Sequence, residues 1–198
     1  MPFQIQAHRG NSSLVLQQHL AAAPDAVEVD VGLTRDGTLL LAHEPDMSDA
    51  TGLTLDSALE IASTTPLVVE AKCFPPQTAP PVAFAVALLP YLDRISVISF
   101  DERVLIEVRK RRSRTSTTIL FAEPLRRATI ASTLGPHHAL VDRELVHAAH
   151  RVDMRVVPWT VNDANDMAAL IDLGVDGFCT DHPALAREVI AERVSLAA

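Results

Sequence analysis

The chain's 198 residues are enough for one well-buried core and too few for two ordinary domains, so a single domain over 1–198 is expected. Hydrophobic residues make up 48% and charged residues 21%, a soluble globular balance, and no apolar run approaches the roughly 20 residues that cross a bilayer. The net charge of -8 disfavours general nucleic-acid binding. The first residues carry neither the basic start nor the apolar stretch of a signal peptide, which makes the cytoplasm the expected location. In that compartment Cys73 and Cys179, far apart in sequence, are expected to be free thiols.

In chain order, residues 4–7 read as a short strand running into His8-Arg9-Gly10, which places a proton carrier, a fixed cation and a flexible residue at one strand end. A helix is expected over 13–23, stopped by Pro24-Asp25. The next strand, Val27-Glu28-Val29-Asp30-Val31, is the most informative segment. Its period of two sets Glu28 and Asp30 on one face and three valines on the other. Two carboxylates on an apolar strand need a compensating cation. A divalent metal is the simplest one, and a buried salt bridge with Arg9 and Lys72 is the competing explanation.

The turn Thr34-Arg35-Asp36-Gly37 sends a second extended segment, 38–42, back into His43. A short helix over 57–63 precedes a strand at 67–72, where Glu70 and Lys72 share a face. Further strands are expected at 95–100, 117–122, 138–141, 155–161 and 177–180. Helices are expected at 80–91, 101–112, 125–134, 143–151, 163–173 and 182–194. The basic run Arg109-Lys110-Arg111-Arg112 falls at a helix C-terminus, where it opposes the helix dipole.

Eight apolar strands alternating with helices imply parallel strands closed into a (β/α)8 TIM barrel, with chemistry at the C-terminal strand ends. His8, Arg9, Asp30, Glu70 and Lys72 all fall there. Asp142 and Glu123 also lie at strand ends and are kept as outside candidates. His19, His137, His138, His147, His150 and His182 read as surface or capping groups, and Asn162 as a helix cap.

Together, His8-Arg9-Gly10, Glu28-Val29-Asp30-Val31, Thr34-Arg35-Asp36-Gly37 leading to His43, Glu70-Ala71-Lys72, Ser99-Phe100, Trp159-Thr160-Val161-Asn162 and Gly174-Val175-Asp176-Gly177 with Thr180-Asp181-His182-Pro183 resemble the glycerophosphodiester phosphodiesterases in order and spacing. The resemblance covers nearly the whole chain. It implies a PLC-like phosphodiesterase barrel that hydrolyses a glycerophosphodiester, a small-molecule substrate, to a phosphomonoester and an alcohol. It also implies that Glu28, Asp30 and Glu70 bind Mg2+ or Ca2+ and that His8 and His43 form the acid/base pair. Arg9 and Lys72 would hold the phosphate. Phe100 and Trp159 would wall the substrate, although a core position is the competing reading for Trp159.

The chain departs from the family pattern in three places. Asn11-Ser12-Ser13-Leu14 stands where Pro-Glu-Asn-Thr is usual, Glu44 replaces an Asp after the second histidine, and only residues 44–66 occupy the place of a cap subdomain. A reduced mouth suggests an open site, a different phosphodiester, or cover from a second copy in a homo-oligomer. A relative that stops at a cyclic phosphate or acts on a specialised biosynthetic phosphodiester, and a non-catalytic phosphate-binding barrel, are the alternative functions.

Overall fold

The computed structural model describes residues 3–43, 52–73, 80–125 and 128–196. Its strands are β1 (Gln4–Ala7), β2 (Ala26–Leu33), β3 (Leu39–Leu41), β4 (Leu67–Ala71), β5 (Ile95–Ser99), β6 (Thr117–Phe121), β7 (Thr133–Pro136), β8 (Arg155–Val156) and β9 (Gly177–Thr180). Its helices are α1 (Ser13–Ala21), α2 (Leu55–Ala62), α3 (Pro81–Leu88), α4 (Glu102–Arg111), α5 (Arg143–His150), α6 (Ala164–Leu173) and α7 (Pro183–Leu196).

Strand order is β8-β7-β6-β5-β4-β2-β1-β9, with β3 antiparallel on β2, and the result is a nearly closed barrel of eight parallel strands. No regular ladder joins β8 to β9. Three backbone bonds span that seam instead, from Asp176 N to Val156 O, Cys179 N to Pro158 O and Val161 N to Cys179 O, each 2.9 Å.

Alternation on β2 explains why the barrel has two apolar layers. Val27, Val29 and Val31 are fully buried against the surrounding helices in the main core. Ala26, Val68, Ile98 and Leu120 form a smaller cluster inside the barrel, with Trp159 packed on it. Each buried valine contributes about 1.5–3 kcal/mol. A dehydrated, unpaired carboxylate on the opposite face costs several kcal/mol, so the acids of β2 must be compensated locally.

The hairpin from β2 to β3 forms as expected, with Gly37 in the left-handed region at φ +90°. Ser12, Thr54, Asp101, Asp142 and Asp163 cap their helices through side-chain oxygens. The basic run of α4 is already engaged: Lys110 and Arg111 pair with Glu107, and Arg112 with Asp93. Among the described residues no helix is long and apolar enough to cross a membrane.

Several elements differ from the sequence reading. The expected helix at 80–91 is α3 followed by a 3-10 turn over Leu89–Tyr91. The helix expected over 125–134 does not form at residues 128–132, and its last positions belong to β7. The strand expected at 138–141 is instead a 3-10 turn, His138–Leu140. The strand forms instead around Gly135, where a Cβ would lie 2.7 Å from Leu120 Cδ2 and 2.9 Å from Thr118 Cγ2, so glycine lets β7 lie close against β6 without moving those side chains. The strand expected at 155–161 is regular only over β8, because Pro158 has no N–H to give the ladder. Its extended path continues all the same, with Trp159 N bonded to Pro136 O at 3.0 Å. The 45–49 loop and Glu44 lie outside the described residues.

Candidate active site

Glu28 and Asp30 project from β2 into the barrel, 2% and 1% exposed. Parallel register sets Asp30 beside Glu70 of β4, and one oxygen from each of Glu28, Asp30 and Glu70 lies within 4.8 Å of the others. Lys72, just past the end of β4, sends its ammonium to Asp30 Oδ1 at 2.7 Å and Glu70 Oε1 at 2.8 Å. Arg9 Nε stands 3.8 Å from Asp30. The salt-bridge explanation therefore describes Asp30 and does not describe Glu28. The bond recorded to Glu28 comes from the backbone N–H of Arg9 to Oε2 at 2.9 Å, while its other oxygen, Oε1, is buried without a hydrogen-bond partner.

The electrostatics follow this arrangement. Burial, with Asp30 and Glu70 alongside, pushes Glu28 well above the usual carboxylate range. Burial lifts Glu70 to about 7 against the pull of Lys72. Burial would also raise Asp30, but the Lys72 ammonium and the bonds from Lys72 and Asn11 outweigh it and hold the group low. The same two carboxylates raise Lys72 despite its burial. Three dehydrated acids facing one buried ammonium, with one oxygen unbonded, are a donor set suited to a hard divalent cation.

Two histidines approach this cluster. His43 Nε2 lies 2.5 Å from Arg9 Nη2. Because a guanidinium only donates, His43 accepts at Nε2 in this arrangement. His8 Nδ1 lies 2.7 Å from Asp181 Oδ1, and burial lowers its pKa despite that carboxylate. Arg9 adopts φ 58°, a strained conformation for a residue with a Cβ, at the point where the chain turns from β1 across the acids. Gly10, read from sequence as a flexible residue, is there for space: a Cβ would meet Val27 Cγ1 at 2.7 Å.

One cavity of about 260 Å³ gathers His8, Arg9, Glu28, His43, Glu70 and Lys72, and its far side is formed by Ile98, Phe100, Leu120 and Trp159. Phe100 is 39% exposed and meets Trp159 edge-on, with ring centroids 5.4 Å apart. Trp159 is both packed on the inner cluster and part of this wall, with Nε1 bonded to Gly135 O at 2.8 Å. Asp142 caps α5 and Glu123 is exposed; neither lines the cavity. Cys73 is buried, its thiol pushed up to about 12 by that burial, which fits a packing role.

Four neighbours of the site escape a sequence reading. Asn11 clamps Asp30, giving Nδ2–H to Oδ2 at 2.7 Å and taking the Asp30 N–H at 2.8 Å. His19, read as a surface group, bonds the His8 carbonyl through Nε2 at 2.8 Å. Asn162 does not cap α6, a position held by Asp163; it bonds Asp181 instead. Asp181 follows β9 directly at the same rim, so the strand-end rule that singles out Glu70 and Lys72 could have found it.

A sequence model described as the glycerophosphoryl diester phosphodiesterase family matches residues 81–185, more than half of the chain. This chain belongs to that family. The matched span holds Phe100, Trp159, Asn162 and Asp181, while the acidic cluster and both histidines of the cavity precede it. A glycerophosphodiester phosphodiesterase of Caldanaerobacter subterraneus subsp. tengcongensis is 26% identical over 226 positions, covering 89% of this chain and 93% of the relative. That alignment is longer than the chain itself, so the relative carries segments this chain lacks. A second relative, from Arabidopsis thaliana, is 25% identical and covers 93% of this chain and 72% of its own length.

Solved structures share the barrel. A phosphodiesterase of Oleispira antarctica, in complex with the product sn-glycerol-3-phosphate, superposes with a TM-score of 0.81 at 18% identity, over 95% of this chain and 96% of that one. A glycerophosphodiester phosphodiesterase of Parabacteroides distasonis gives 0.79 at 19% identity, over 98% and 100%. Family and fold together make this chain a phosphodiesterase of the glycerophosphodiester class.

Proposed function

We propose that this chain hydrolyses a glycerophosphodiester, or a closely related small phosphodiester, to a phosphomonoester and an alcohol, with a divalent cation held by Glu28, Asp30 and Glu70. One observation carries the reading: a single cavity is lined at once by two histidines, two cations and two of the three clustered carboxylates, with the third, Asp30, bonded to Lys72 in its floor. Its volume of about 260 Å³ lies just below the usual range of ligand cavities, which starts at about 300 Å³, so a compact diester suits it better than a polymer. The Oleispira antarctica relative, solved with a glycerol phosphate product, supports the same substrate class.

When bound, the cation would supply Lewis-acid polarisation of a phosphoryl oxygen; Mg2+ and Ca2+ both suit an all-oxygen donor set. The remaining work falls to this chain's own groups. Lys72 and Arg9 neutralise the charge that gathers on phosphate oxygens in the transition state. Of the two imidazoles, one removes the proton of the attacking hydroxyl and the other returns a proton to the departing alkoxide. Ile98, Phe100, Leu120 and Trp159 keep that face of the substrate dry, which strengthens each charge interaction beside it.

The test is phosphorus NMR of the purified protein with glycerophosphocholine and a panel of other phosphodiesters, in Mg2+, in Ca2+ and in chelator. Cation-dependent formation of a monoester is the expected result. A persistent cyclic phosphate would replace hydrolysis by an incomplete reaction, and cation binding without turnover on any diester would leave a binding protein in place of an enzyme.

A further inference from the structure

We propose that Asp181, itself fixed by Asn162, is a positioning residue that holds His8 in one tautomer and orientation for proton transfer. The inference rests on the hydrolytic reading above and names a part of the same site.

The residues come from three different strand ends. His8 follows β1, Asp181 follows β9, and Asn162 lies on the segment beyond β8. Asp181 Oδ1 is 2.7 Å from His8 Nδ1, and Asp181 Oδ2 accepts from Asn162 Nδ2 at 2.6 Å. Asn162 Oδ1 in turn accepts the backbone N–H of Asp181 at 2.9 Å and the Thr180 hydroxyl at 3.2 Å. The carboxylate is thus held on both oxygens and at its own backbone. An ionised carboxylate only accepts, so Nδ1 of His8 must carry a proton, and Nε2 is left as the nitrogen free to exchange one in the cavity that His8 lines.

The imidazole is also anchored from behind. Its backbone N–H donates to Thr180 O at 2.9 Å, and His19 Nε2 meets its carbonyl at 2.8 Å. With the backbone fixed, ring rotation is the remaining freedom, and the Asp181 bond removes it. A stabilising role alone explains the arrangement poorly, because the Asp181 side chain is 45% exposed and such pairs contribute little to folding. The arrangement belongs to the general pattern in which a carboxylate orients a functional histidine through the nitrogen that does no chemistry.

Two readouts test it on the full-length protein, with Asp181→Asn, Asp181→Ala and Asn162→Ala compared with wild type. The first is the tautomer of His8 by ring ¹⁵N–¹H correlation NMR, which needs no substrate. Wild type should show the Nδ1–H form, and both Asp181 variants should lose that preference. An unchanged tautomer in both would overturn the proposal. The second is steady-state turnover of glycerophosphocholine with saturating Mg2+. Loss of an orienting partner should lower kcat by about 10–100-fold with KM within about twofold, and Asn162→Ala should give a smaller fall of the same kind. A shifted tautomer with unchanged kcat would also overturn it. Absence of turnover in wild type would count against the hydrolytic reading itself, while the tautomer measurement would still decide whether Asp181 governs His8.

Discussion

Glu28 has one buried oxygen without a hydrogen-bond partner, and burial beside Asp30 and Glu70 pushes its carboxyl above the usual carboxylate range. Glu28→Gln keeps shape and volume while removing the acid. It should leave the melting temperature of the cation-free protein unchanged or higher, and weaken Mg2+ binding at least about tenfold by isothermal calorimetry. Equal Mg2+ affinity in the two proteins would remove Glu28 from the ligand set. His43 offers the complementary case. His43→Ala should lower turnover by about 10²–10⁴-fold while Mg2+ binding persists; near-normal turnover would exclude it from acid/base work. Period-two alternation makes Glu28, Asp30, Glu70 and Lys72 visible in sequence because each sits in or at the end of a strand. Asn11 and Asn162 act through contacts with segments 19 residues away, which no local pattern encodes, whereas Asp181, which meets His8 across 173 residues, is marked in sequence only by its place at a strand end.

Among the elements, the strands of the first half form close to where the sequence places them, and the misreadings gather between β6 and β8. There the chain solves packing problems with residues that read as breakers. Gly135 and Pro136 lie within β7, and Pro158 interrupts the ladder beyond β8. Inter-strand distance, not propensity, decides these positions. Gly177 at the start of β9 is the most demanding, since a Cβ would stand 2.2 Å from the Gln4 carbonyl oxygen. Gly177→Ala should therefore destabilise the protein by about 3 kcal/mol or more in denaturant unfolding, through separation of β9 from β1. Gly37→Ala, with nothing within 4 Å of the added carbon, should cost only the strain of its positive φ, about 1 kcal/mol. Equal losses at the two sites would show that the β1–β9 contact does not limit stability.

For the molecule as a whole, the acidic cluster links folding to pH and, on the proposed cation-binding reading, to cation concentration. Glu70, like Glu28, has a folded pKa raised above its unfolded value, so its contribution is complete below the ordinary carboxylate range and is lost as pH rises through about 7. Asp30 is shifted the other way, and its contribution is lost only in acid. The cation-free protein should melt at a lower temperature at about pH 8 than at about pH 5.5. Saturating Mg2+ should restore more at the higher pH, because ligation requires ionised oxygens. Scanning calorimetry at both pH values with and without chelator measures this; because folding lowers the His8 pKa and so favours the higher pH, the comparison includes His8→Gln, and a cation-free melting temperature that rises with pH in that variant too would show that the acids do not share a dehydrated site.

The seam between β8 and β9 has a bearing on synthesis as well. A growing chain presents β2 and β4, with their three acids, long before β9 is made. In the folded barrel β9 pairs with β1 and its Cys179 lines the cavity beside the acids, so the dehydration of the site is complete only with β9 in place. A proton or divalent ion available at that moment would set how readily the ring shuts, and ring closure is the same event that brings Asp181 to His8.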